Sequence, residues 1–407
     1  MAVFGKVAGI VCEYNPFHNG HKRQIDILRE AGFSTIVCAM SGNYTQRGEL
    51  AIADKYTRAE IAVRCGADIV LELPFPFSSF SAEGFARAGV HLLASAGCDT
   101  VSFGSECADL ALLERAADTV LSEDFARAYA DSQRSVGSAR SYFDLLSDRI
   151  GENVKLLSND ILAISYLSAV RRGNYRMNVF PILRQGAAYR EEKLEISAFP
   201  SATAVRKAVK KSPEGFLSFP DGYLPSEAVK TLQRAQAGGL APVFTDRIGV
   251  EILSFFRLMT PEDIIERAVR NSNGGAAVCE DGCGIVERLC CCAKKAHSFE
   301  DFITSAYNSR YTDARIRRVM LFSLIGISDA FAKAIPTYAV LLGASENGRR
   351  YLSSIRKSAD FPIVTKPADA PEGAFTELLR LSDSLYTSAM PKDVSFDHFL
   401  KNHPFIA

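Results

Sequence analysis

Four short apolar segments constrain the fold of the first hundred residues more than any other feature of this chain. They are Val7–Cys12, Ser34–Met40, Ala67–Pro74 and Thr100–Gly104. The stretches between them have the apolar spacing of helices, at His18–Ala31, Asp54–Gly66 and Ser81–Ala96. Strands that are apolar on both faces and alternate with helices indicate a parallel sheet covered by helices. We therefore predict an α/β fold for this part of the chain.

From about Leu110 the pattern becomes mostly helical. The segment NDILAISYLSAVRRG predicts a helix at Asn159–Gly173, and MNVFPILRQG predicts one more strand at Met177–Gly186. The next segment, ISAFPSATAVRKAVKK, predicts a basic helix that Ser201 or Thr203 caps.

The length of the chain, 407 residues, exceeds what one hydrophobic core ordinarily organises. The Gly-rich segment AQAGGLA, at Ala235–Ala241, is a candidate boundary. We predict a parallel-sheet domain with helical insertions over residues 1–235 and a mainly α-helical domain over residues 236–407.

Charge and cysteine content indicate which partners and which cellular compartment the chain is suited to. Lys plus Arg and Asp plus Glu both number 47, which gives no global attraction to nucleic acid but permits a local basic face. Of the ten cysteines, Cys12 and Cys38 lie in apolar strands and Cys290–Cys292 lie beside one another, and no signal-peptide pattern precedes them. This favours free thiols in a reducing cytoplasm. The apolar stretch Met320–Ala344 contains Asp329, Lys333 and Pro336 and is not expected to span a membrane.

The segment EYNPFHNGHKRQ follows the first predicted strand and opens the first predicted helix. Parallel sheets bind ligands beyond the carboxyl ends of their strands, and the free N–H groups of a helix N-terminus favour phosphate. His18 and His21 can project from one side of the first turn, and Gly20 leaves room for a polyphosphate. Two imidazole donors aimed at one phosphorus would stabilise the charge that develops during nucleotidyl transfer, without a covalent intermediate. The structural alternative is a pair of exposed or capping histidines.

The His-x-Gly-His spacing in FHNGH, after a strand and a Pro turn, resembles the signature of the nucleotidyltransferase superfamily, which implies a Rossmann-like sheet. The segment SATAVRKAVKK resembles the hydroxyl-rich turn and Arg-bearing helix that close the nucleotide site in that superfamily. The chain as a whole resembles the bacterial tRNA(Met) cytidine acetate ligase family. The segments that carry this resemblance are SATAVR, EYNPFHNGH, MSGNYTQRGE, GADIVLELP, SFGSE, SNDILAISYL and SRYTDARIRR. The resemblance runs from Val7 to about Ile325.

The resemblance implies two reaction steps. Acetate attacks the α-phosphate of ATP to give acetyl-adenylate and pyrophosphate. The exocyclic amine of the wobble cytidine of elongator tRNA(Met) then takes the acetyl group, giving N4-acetylcytidine. ATP with Mg²⁺ and acetate are the implied co-substrates, in a cytoplasmic enzyme with no obligate protein partner.

The same resemblance implies the site residues, with catalysis assigned to His18 and His21. ATP contacts would fall on the first corner and on a few later positions, namely Val11, Cys12, Glu13, Tyr14, Asn15, Pro16, Phe17, His18, Asn19, Gly20, His21, Gln24, Gly104, Asn159, Arg184, Ser201, Thr203 and Arg206. Two of these have simple structural alternatives, because Gly104 could be a strand-end turn and Asn159 a helix cap.

Polar residues after the second strand are candidates for an acetate or phosphate contact: Ser41, Gln46, Arg47, Lys55 and Arg58. A basic segment interleaved with tyrosine is the candidate tRNA contact: Arg310, Tyr311, Arg315, Arg317 and Arg318. The alternative for both sets is solvated helix faces. The spacing of Cys279, Cys283 and the Cys290–Cys292 triplet fits no zinc pattern, so we predict buried thiols in a helical core and no metal site built from side chains.

Two other functions remain open at this point. One is an adenylyltransferase that acts on a small phosphorylated cofactor precursor. The other is a nucleotide- or RNA-binding protein that has kept the fold without turnover, against which the intact His18, Gly20 and His21 argue.

Overall fold

The computed structural model describes residues 5–132, 138–151, 156–184, 201–220, 222–270, 284–308, 311–328, 331, 334–355 and 361–407. The strands are β1 (Val7–Cys12), β2 (Thr35–Ser41), β3 (Ile69–Leu73), β4 (Thr100–Ser105), β5 (Asn178–Leu183), β6 (Ala339–Ala344), β7 (Ile363–Val364) and β8 (Phe405–Ile406). The helices are α1 (Asn19–Glu30), α2 (Lys55–Arg64), α3 (Ala82–Ser95), α4 (Leu110–Leu121), α5 (Glu123–Ser132), α6 (Ser138–Ile150), α7 (Ser158–Arg172), α8 (Ala202–Lys211), α9 (Ser226–Ala237), α10 (Gly249–Leu258), α11 (Pro261–Arg270), α12 (Gly284–Lys295), α13 (Phe299–Ala306), α14 (Asp313–Ile325), α15 (Glu346–Ile355) and α16 (Ala374–Ser388).

The strands form one sheet in the order β5-β4-β1-β2-β3-β6-β7, and β8 pairs with β6. Strands β1 to β5 are parallel, whereas β6 is antiparallel to β3. The chain runs from β1 through β2 to β3 on one side and then crosses to β4 on the other side of β1, so the strand order reverses between β1 and β4. In open sheets of this kind, ligands bind in the crevice at the carboxyl ends of the strands beside such a reversal.

The predicted Rossmann-like α/β fold followed by a mainly helical region is confirmed. Strand β1 has the predicted bounds, and β2 to β5 lie where the apolar segments predicted them. Strands β6, β7 and β8 lie near the end of the chain and were not among the predicted strands. The division of the chain at residue 235 stays a prediction.

Close packing of α3 on β1 depends on two glycines. A Cβ on Gly9 would lie 2.7 Å from Leu93 Cδ1, and a Cβ on Gly89 would lie 2.6 Å from Val11 Cγ1. Because neither residue has a side chain, the helix approaches the central strand closely enough to bury it.

The eight cysteines of the described ranges are free thiols. Cys290 is buried in the helical core as predicted, whereas Cys291 is exposed because it lies on the outer face of α12. Cys279 and Cys283 lie outside the described residues. Within the ranges given above, no helix is both long and apolar enough to cross a membrane.

A buried ion cluster joins α16 to the sheet. The Lys55 ammonium lies 2.8 Å from Glu72 Oε1 on β3 and 2.6 Å from Asp383 Oδ2 on α16, and Lys55 is fully buried. Asn43 Nδ2 donates to the other Asp383 oxygen at 2.8 Å. Burial alone would lower the pKa of Lys55, but the carboxylates of Asp383 and Glu72 raise it. Burial also raises the pKa of Glu72 to about 7, against the lowering effect of Lys55.

Replacing the cation of this cluster tests its part in stability. Lys55→Met leaves the carboxylates of Glu72 and Asp383 buried without their partner, so we expect the free energy of unfolding to fall by about 3–5 kcal/mol. Urea unfolding followed by circular dichroism measures the change. The control is Arg350→Ala, which removes an exposed pair with Glu346 on α15 and should change the free energy by less than about 0.5 kcal/mol. Equal effects of the two substitutions would contradict the assignment.

Candidate active site

A cavity of about 210 Å³ opens at the carboxyl ends of β1 and β4, where the strand order reverses. It is lined by Val11, Cys12, Glu13, Tyr14, Asn15, His18, His21, Gln24, Thr45, Gln46, Arg47, Phe85, Phe103, Gly104, Asn159, Leu162, Tyr166, Arg184, Ser201, Ala202, Thr203 and Arg206. Most of the residues predicted to contact ATP are therefore brought together here, although they come from five separate parts of the chain.

Four of the predicted ATP residues do not line the cavity. Pro16 and Phe17 are buried, and the Phe17 ring packs edge-on against Tyr14 with centroids 4.7 Å apart. Asn19 donates through Nδ2 to the carbonyl of Gly222 at 2.7 Å. These residues shape the corner, and the structure does not bring their side chains to the cavity.

Gly20 is the fourth predicted ATP residue that does not line the cavity. It was predicted to leave room for a polyphosphate, but the structure shows a different role. A Cβ at this position would lie 2.9 Å from His18 Cε1 and 3.1 Å from His18 Nδ1. The glycine therefore makes room for the neighbouring imidazole, and through it for the helix cap described next.

His18 and His21 cap the N-terminus of α1 reciprocally. The backbone N–H of Gly20 donates to His18 Nδ1 at 3.1 Å, and the backbone N–H of His18 donates to His21 Nδ1 at 3.2 Å. The two rings are stacked, with centroids 3.7 Å apart. The structural alternative of capping histidines is thus correct for the local geometry, yet the same two rings also line the cavity.

The cap fixes the protonation state of both rings. Because each Nδ1 accepts a hydrogen bond, the proton of each neutral imidazole lies on Nε2. Burial, with a contribution from the Arg184 guanidinium, lowers the pKa of His18 to about 3. Burial, His18 and Arg184 together lower the pKa of His21 well below its usual value. At neutral pH the cavity therefore contains two uncharged N–H donors beside a fixed arginine charge.

Gly104 and Arg184 act together at the far wall. A Cβ on Gly104 would lie 3.1 Å from Arg184 Cγ, so the glycine lets the arginine side chain cross the end of β4. The backbone N–H of Arg184 continues the strand pairing by donating to the Ser105 carbonyl at 3.0 Å. The strand-end position of Gly104 and its place in the lining are thus compatible.

Two carboxylates that were not singled out from the sequence order this wall: Glu106 holds Asn159, and Asp160 ties the start of α7 to the end of β4. Glu106 accepts from Asn159 Nδ2 at 2.5 Å and from the backbone N–H groups of Asn159 and Asp160 at 3.1 and 3.0 Å. Asp160 accepts from Ser105 Oγ at 2.6 Å and from the Glu106 N–H at 2.9 Å. Burial alone would raise the pKa of Asp160, but the hydrogen bonds from Ser105 and from backbone N–H groups lower it. The acidic residues of SFGSE and SND were the available signal, since carboxylates before a helix stabilise its N-terminus.

The start of α8 forms another wall, as predicted. Ser201 Oγ accepts from the Ala204 N–H at 3.1 Å and caps the helix. Arg206 Nη1 donates to the carbonyl of Asn15 at 2.8 Å, which ties this helix to the first corner.

The candidates after β2 divide into two groups. Gln46 and Arg47 line the cavity, and the Gln46 N–H donates to Glu13 Oε1 at 2.7 Å. Ser41, Lys55 and Arg58 are buried and do not line it, which corrects the expectation of a substrate contact.

The buried guanidinium of Arg58 forms hydrogen bonds with backbone carbonyls. It donates to the carbonyls of Ala53 at 2.8 Å, Glu13 at 2.6 Å and Ser41 at 3.0 Å. Arg58 therefore holds the segment after β2 against the first corner.

The basic segment of α14 is packed more tightly than a solvated helix face. Tyr311 is buried and Arg315 lies over its ring, 5.7 Å from the centroid. Arg317 pairs with Asp313 at 2.9 Å, and Arg318 donates to the Gln46 carbonyl at 3.3 Å. Arg310 lies outside the described residues. A stacking role for Tyr311 does not fit its burial, and an RNA contact by the arginines stays a prediction.

Six lining residues were not singled out from the sequence: Thr45, Phe85, Phe103, Leu162, Tyr166 and Ala202. Most of them give the cavity an apolar wall, in which the rings of Phe103 and Tyr166 lie 5.7 Å apart. Their pattern is that of ordinary core residues, so only their proximity to the recognised motifs was available as a signal. Among the residues described, no group of three or more His, Cys, Asp or Glu side chains could hold a metal ion.

The chain is similar to known proteins over most of its length. The model of the HIGH nucleotidyl transferase family matches residues 5–399. A tRNA(Met) cytidine acetate ligase from Caldanaerobacter subterraneus subsp. tengcongensis is 35% identical over 372 residues, covering 88% of each chain. One from Listeria monocytogenes is 34% identical over 389 residues, covering 94% of each.

Two crystal structures of TmcAL from Thermotoga maritima match nearly the whole chain. The apo form has a TM-score of 0.86 at 31% identity and covers 99% of each chain. The form bound with alpha-thio ATP has a TM-score of 0.84 at 30% identity and the same coverage.

The reciprocal cap predicts the state of both imidazoles. In ¹⁵N-histidine-labelled protein, we expect neutral His18 and His21 with protonated Nε2 at pH 7. The His18 ring should titrate only near its folded pKa of about 3, and the His21 ring well below the usual histidine value. Because their folded pKa values lie below the ordinary value of about 6.5, the unfolded state binds more protons, and these rings destabilise the fold as pH falls through that value. Long-range ¹H–¹⁵N spectra, assigned with the His18→Asn and His21→Asn variants, measure this. A protonated Nδ1 in either ring at pH 7 would contradict the cap.

Proposed function

The chain belongs to the HIGH nucleotidyl transferase family and, within it, to the tRNA(Met) cytidine acetate ligases, and we propose that it activates acetate with ATP and acetylates the wobble cytidine of elongator tRNA(Met). The product is N4-acetylcytidine. The observation that carries the proposal is the pair of neutral imidazole donors at the N-terminus of α1, beside Arg184, in a cavity at the strand-order reversal.

The first step is adenylation of acetate. The α-phosphate of ATP lies against the N-terminus of α1, where the Nε2–H groups of His18 and His21 donate to its oxygens as the negative charge grows in the transition state. Arg184 and Arg206 add fixed positive charge at the opposite walls. Neutral donors suit this task, because they stabilise the transition state without requiring a proton to move.

Acetate needs little help from the protein as a nucleophile. A carboxylate is already ionised at neutral pH, so no general base is required. Gln46 and Arg47 line the cavity and are positioned to hold the acetate. Magnesium would accompany ATP and would supply positive charge that offsets the charge of its phosphates.

The second step is acyl transfer to RNA. The amine of cytosine is a poor nucleophile, and the mixed anhydride formed in the first step supplies a reactive acyl group with AMP as the leaving group. The wobble base must leave its stack to reach the anhydride, as bases do in other enzymes that act on them.

The test measures both half-reactions on the wild-type protein. We expect ATP–pyrophosphate exchange that depends on acetate and does not need RNA, followed by transfer of labelled acetate to one cytidine of elongator tRNA(Met). Exchange without acetate dependence, together with unlabelled RNA, would instead favour an adenylyltransferase that acts on a small phosphorylated cofactor precursor. No exchange at all would favour a binding protein without turnover.

A substitution that keeps the helix cap isolates the catalytic role of His18. Asparagine is a good N-cap residue, so His18→Asn removes the donor in the cavity and preserves the start of α1. We expect acetate-dependent exchange to fall about 10²–10³-fold, the effect of losing one transition-state donor.

The matched control is His297→Asn, an exposed histidine that lines neither cavity and should keep wild-type exchange. Thermal unfolding of both variants checks the fold. Wild-type exchange by a folded His18→Asn protein would exclude the proposed role.

A further inference from the structure

A second cavity, of about 550 Å³, adjoins the one already described. It lies between α8, the loop at Glu49–Leu50, the segment 243–246 and the helices α13 and α14. Thr203 and Arg206 line both cavities, so the first turns of α8 form their common wall. Its volume is within the ordinary range of small-molecule sites.

The lining of this cavity combines aromatic rings with side chains of both charges. The cations are Arg206, Lys207, Lys210 and Arg317, and the carboxylates are Glu49, Asp246, Glu300 and Asp313. Phe244, Phe299 and Tyr307 contribute the rings, and Tyr307 is 59% exposed. Lys210 lies over the Phe244 ring, 5.7 Å from its centroid, and pairs with Asp246 at 2.8 Å. Rings that can stack on an unpaired base, beside lysine and arginine that can contact its phosphates, are the residue types that bind single-stranded RNA.

One carboxylate lies at the common wall. Glu49 Oε2 is 3.5 Å from Arg206 Nη2, and Glu49 Oε1 is 3.8 Å from Arg317 Nε. Both distances are longer than those of a strong charge-assisted hydrogen bond, so the carboxylate keeps acceptor capacity for a ligand. Carboxylates accept hydrogen bonds from the N4 amine of cytosine, whereas uracil has a carbonyl at that position.

The position of Glu49 is fixed by close packing. Gly48 has φ 71°, and a Cβ there would lie 2.4 Å from the backbone nitrogen of Arg318. Because Gly48 has no side chain, α14 packs directly on this loop and holds Glu49 beside Arg206. Glu49 is the last residue of the segment MSGNYTQRGE, which carries part of the family resemblance. No function was assigned to Glu49 from the sequence.

We propose that the second cavity binds the flipped-out wobble cytidine of the tRNA, with its base against Tyr307 and Phe244 and its N4 amine on Glu49. This assignment rests on the proposed function. The N4 lone pair then attacks the acetyl carbonyl carbon of the anhydride across the common wall. The new C–N bond forms, the bond from that carbon to the phosphate oxygen breaks, AMP leaves with the electron pair, and Glu49 accepts the proton that N4 loses.

The first experiment separates transfer from activation. Enzyme loaded with acetyl-adenylate by preincubation with ATP and labelled acetate is mixed with excess tRNA, and single-turnover transfer is compared with acetate-dependent exchange. For Glu49→Gln we expect the ratio of the transfer rate to the exchange rate to fall about 100-fold, the usual effect of losing a positioned proton acceptor.

Glu60→Gln is the matched control. Glu60 also lies between two arginines, 2.7 Å from Arg64 and 2.5 Å from Arg234, but it lines neither cavity. The ratio should stay at the wild-type value in this variant. Equal loss of exchange and transfer in Glu49→Gln would assign Glu49 to the ATP cavity and overturn the proposal. Absence of exchange in the wild type would instead overturn the proposed function.

The second experiment locates the base without measuring activity. Transfer RNA with 5-iodocytidine in place of the wobble cytidine, which keeps the N4 amine, is bound and irradiated, and the crosslinked peptides are identified by mass spectrometry. We expect crosslinks within residues 243–246 or 299–307. Crosslinks that fall only elsewhere, or none from bound tRNA, would contradict this site for the base.

Binding measurements complete the test. Tyr307→Ala should raise the Kd for tRNA about tenfold, because it removes one stacking platform. Phe396→Ala removes a comparably exposed ring, 75% exposed, that lines neither cavity, and should leave the Kd unchanged. Equal affinities of the two variants would exclude stacking on Tyr307.

Discussion

The rest of this structure depends on the ion pairs that the buried Lys55 ammonium forms with two carboxylates. The ammonium meets Glu72 from β3 and Asp383 from α16, and the last of these is 328 residues away along the chain. A buried cation is tolerated only when carboxylates surround it, so the three groups hold their elements in one arrangement. Asn43 and Tyr44 add hydrogen bonds to α16, at 2.8 Å to Asp383 and 2.5 Å to the Ser382 carbonyl.

The segment fixed in this way carries the residues that divide the two cavities. Gln46 and Arg47 line the smaller cavity, whereas Glu49 lines the larger one. Arg206 reaches both and is anchored on the Asn15 carbonyl. An enzyme that makes an anhydride and then passes its acyl group to RNA needs two neighbouring sites with one open wall, because a reactive intermediate must be kept from water between the steps. Under the proposed function, the packing of α8 and α14 against one loop would supply that arrangement.

Most residues that the sequence motifs singled out line the smaller cavity, because those motifs carry local signals. His18 and His21 were found from their place after a strand, and Ser201 from its place before a helix. The sequence-based expectation of exposure was wrong for Lys55, Arg58 and Tyr311, which the structure buries. A charged residue near a motif is expected to be solvent-exposed unless its ion-pair partner is known. One partner of Lys55, Asp383, lies near the other end of the chain. The second cavity was missed for the same reason, since its walls come from five separate segments.

The sequence by itself determined the parallel sheet and the first corner. Apolar periodicity, the His-x-Gly-His spacing and the cap at Ser201 each involve only a few neighbouring residues. They can therefore be recognised in the sequence without knowing the fold. Only the tertiary structure decided that β6 pairs antiparallel to β3, that α16 closes on Lys55, and that Glu49 stands beside Arg206. These outcomes depend on packing between distant segments, for which no local pattern of residues encodes the partner.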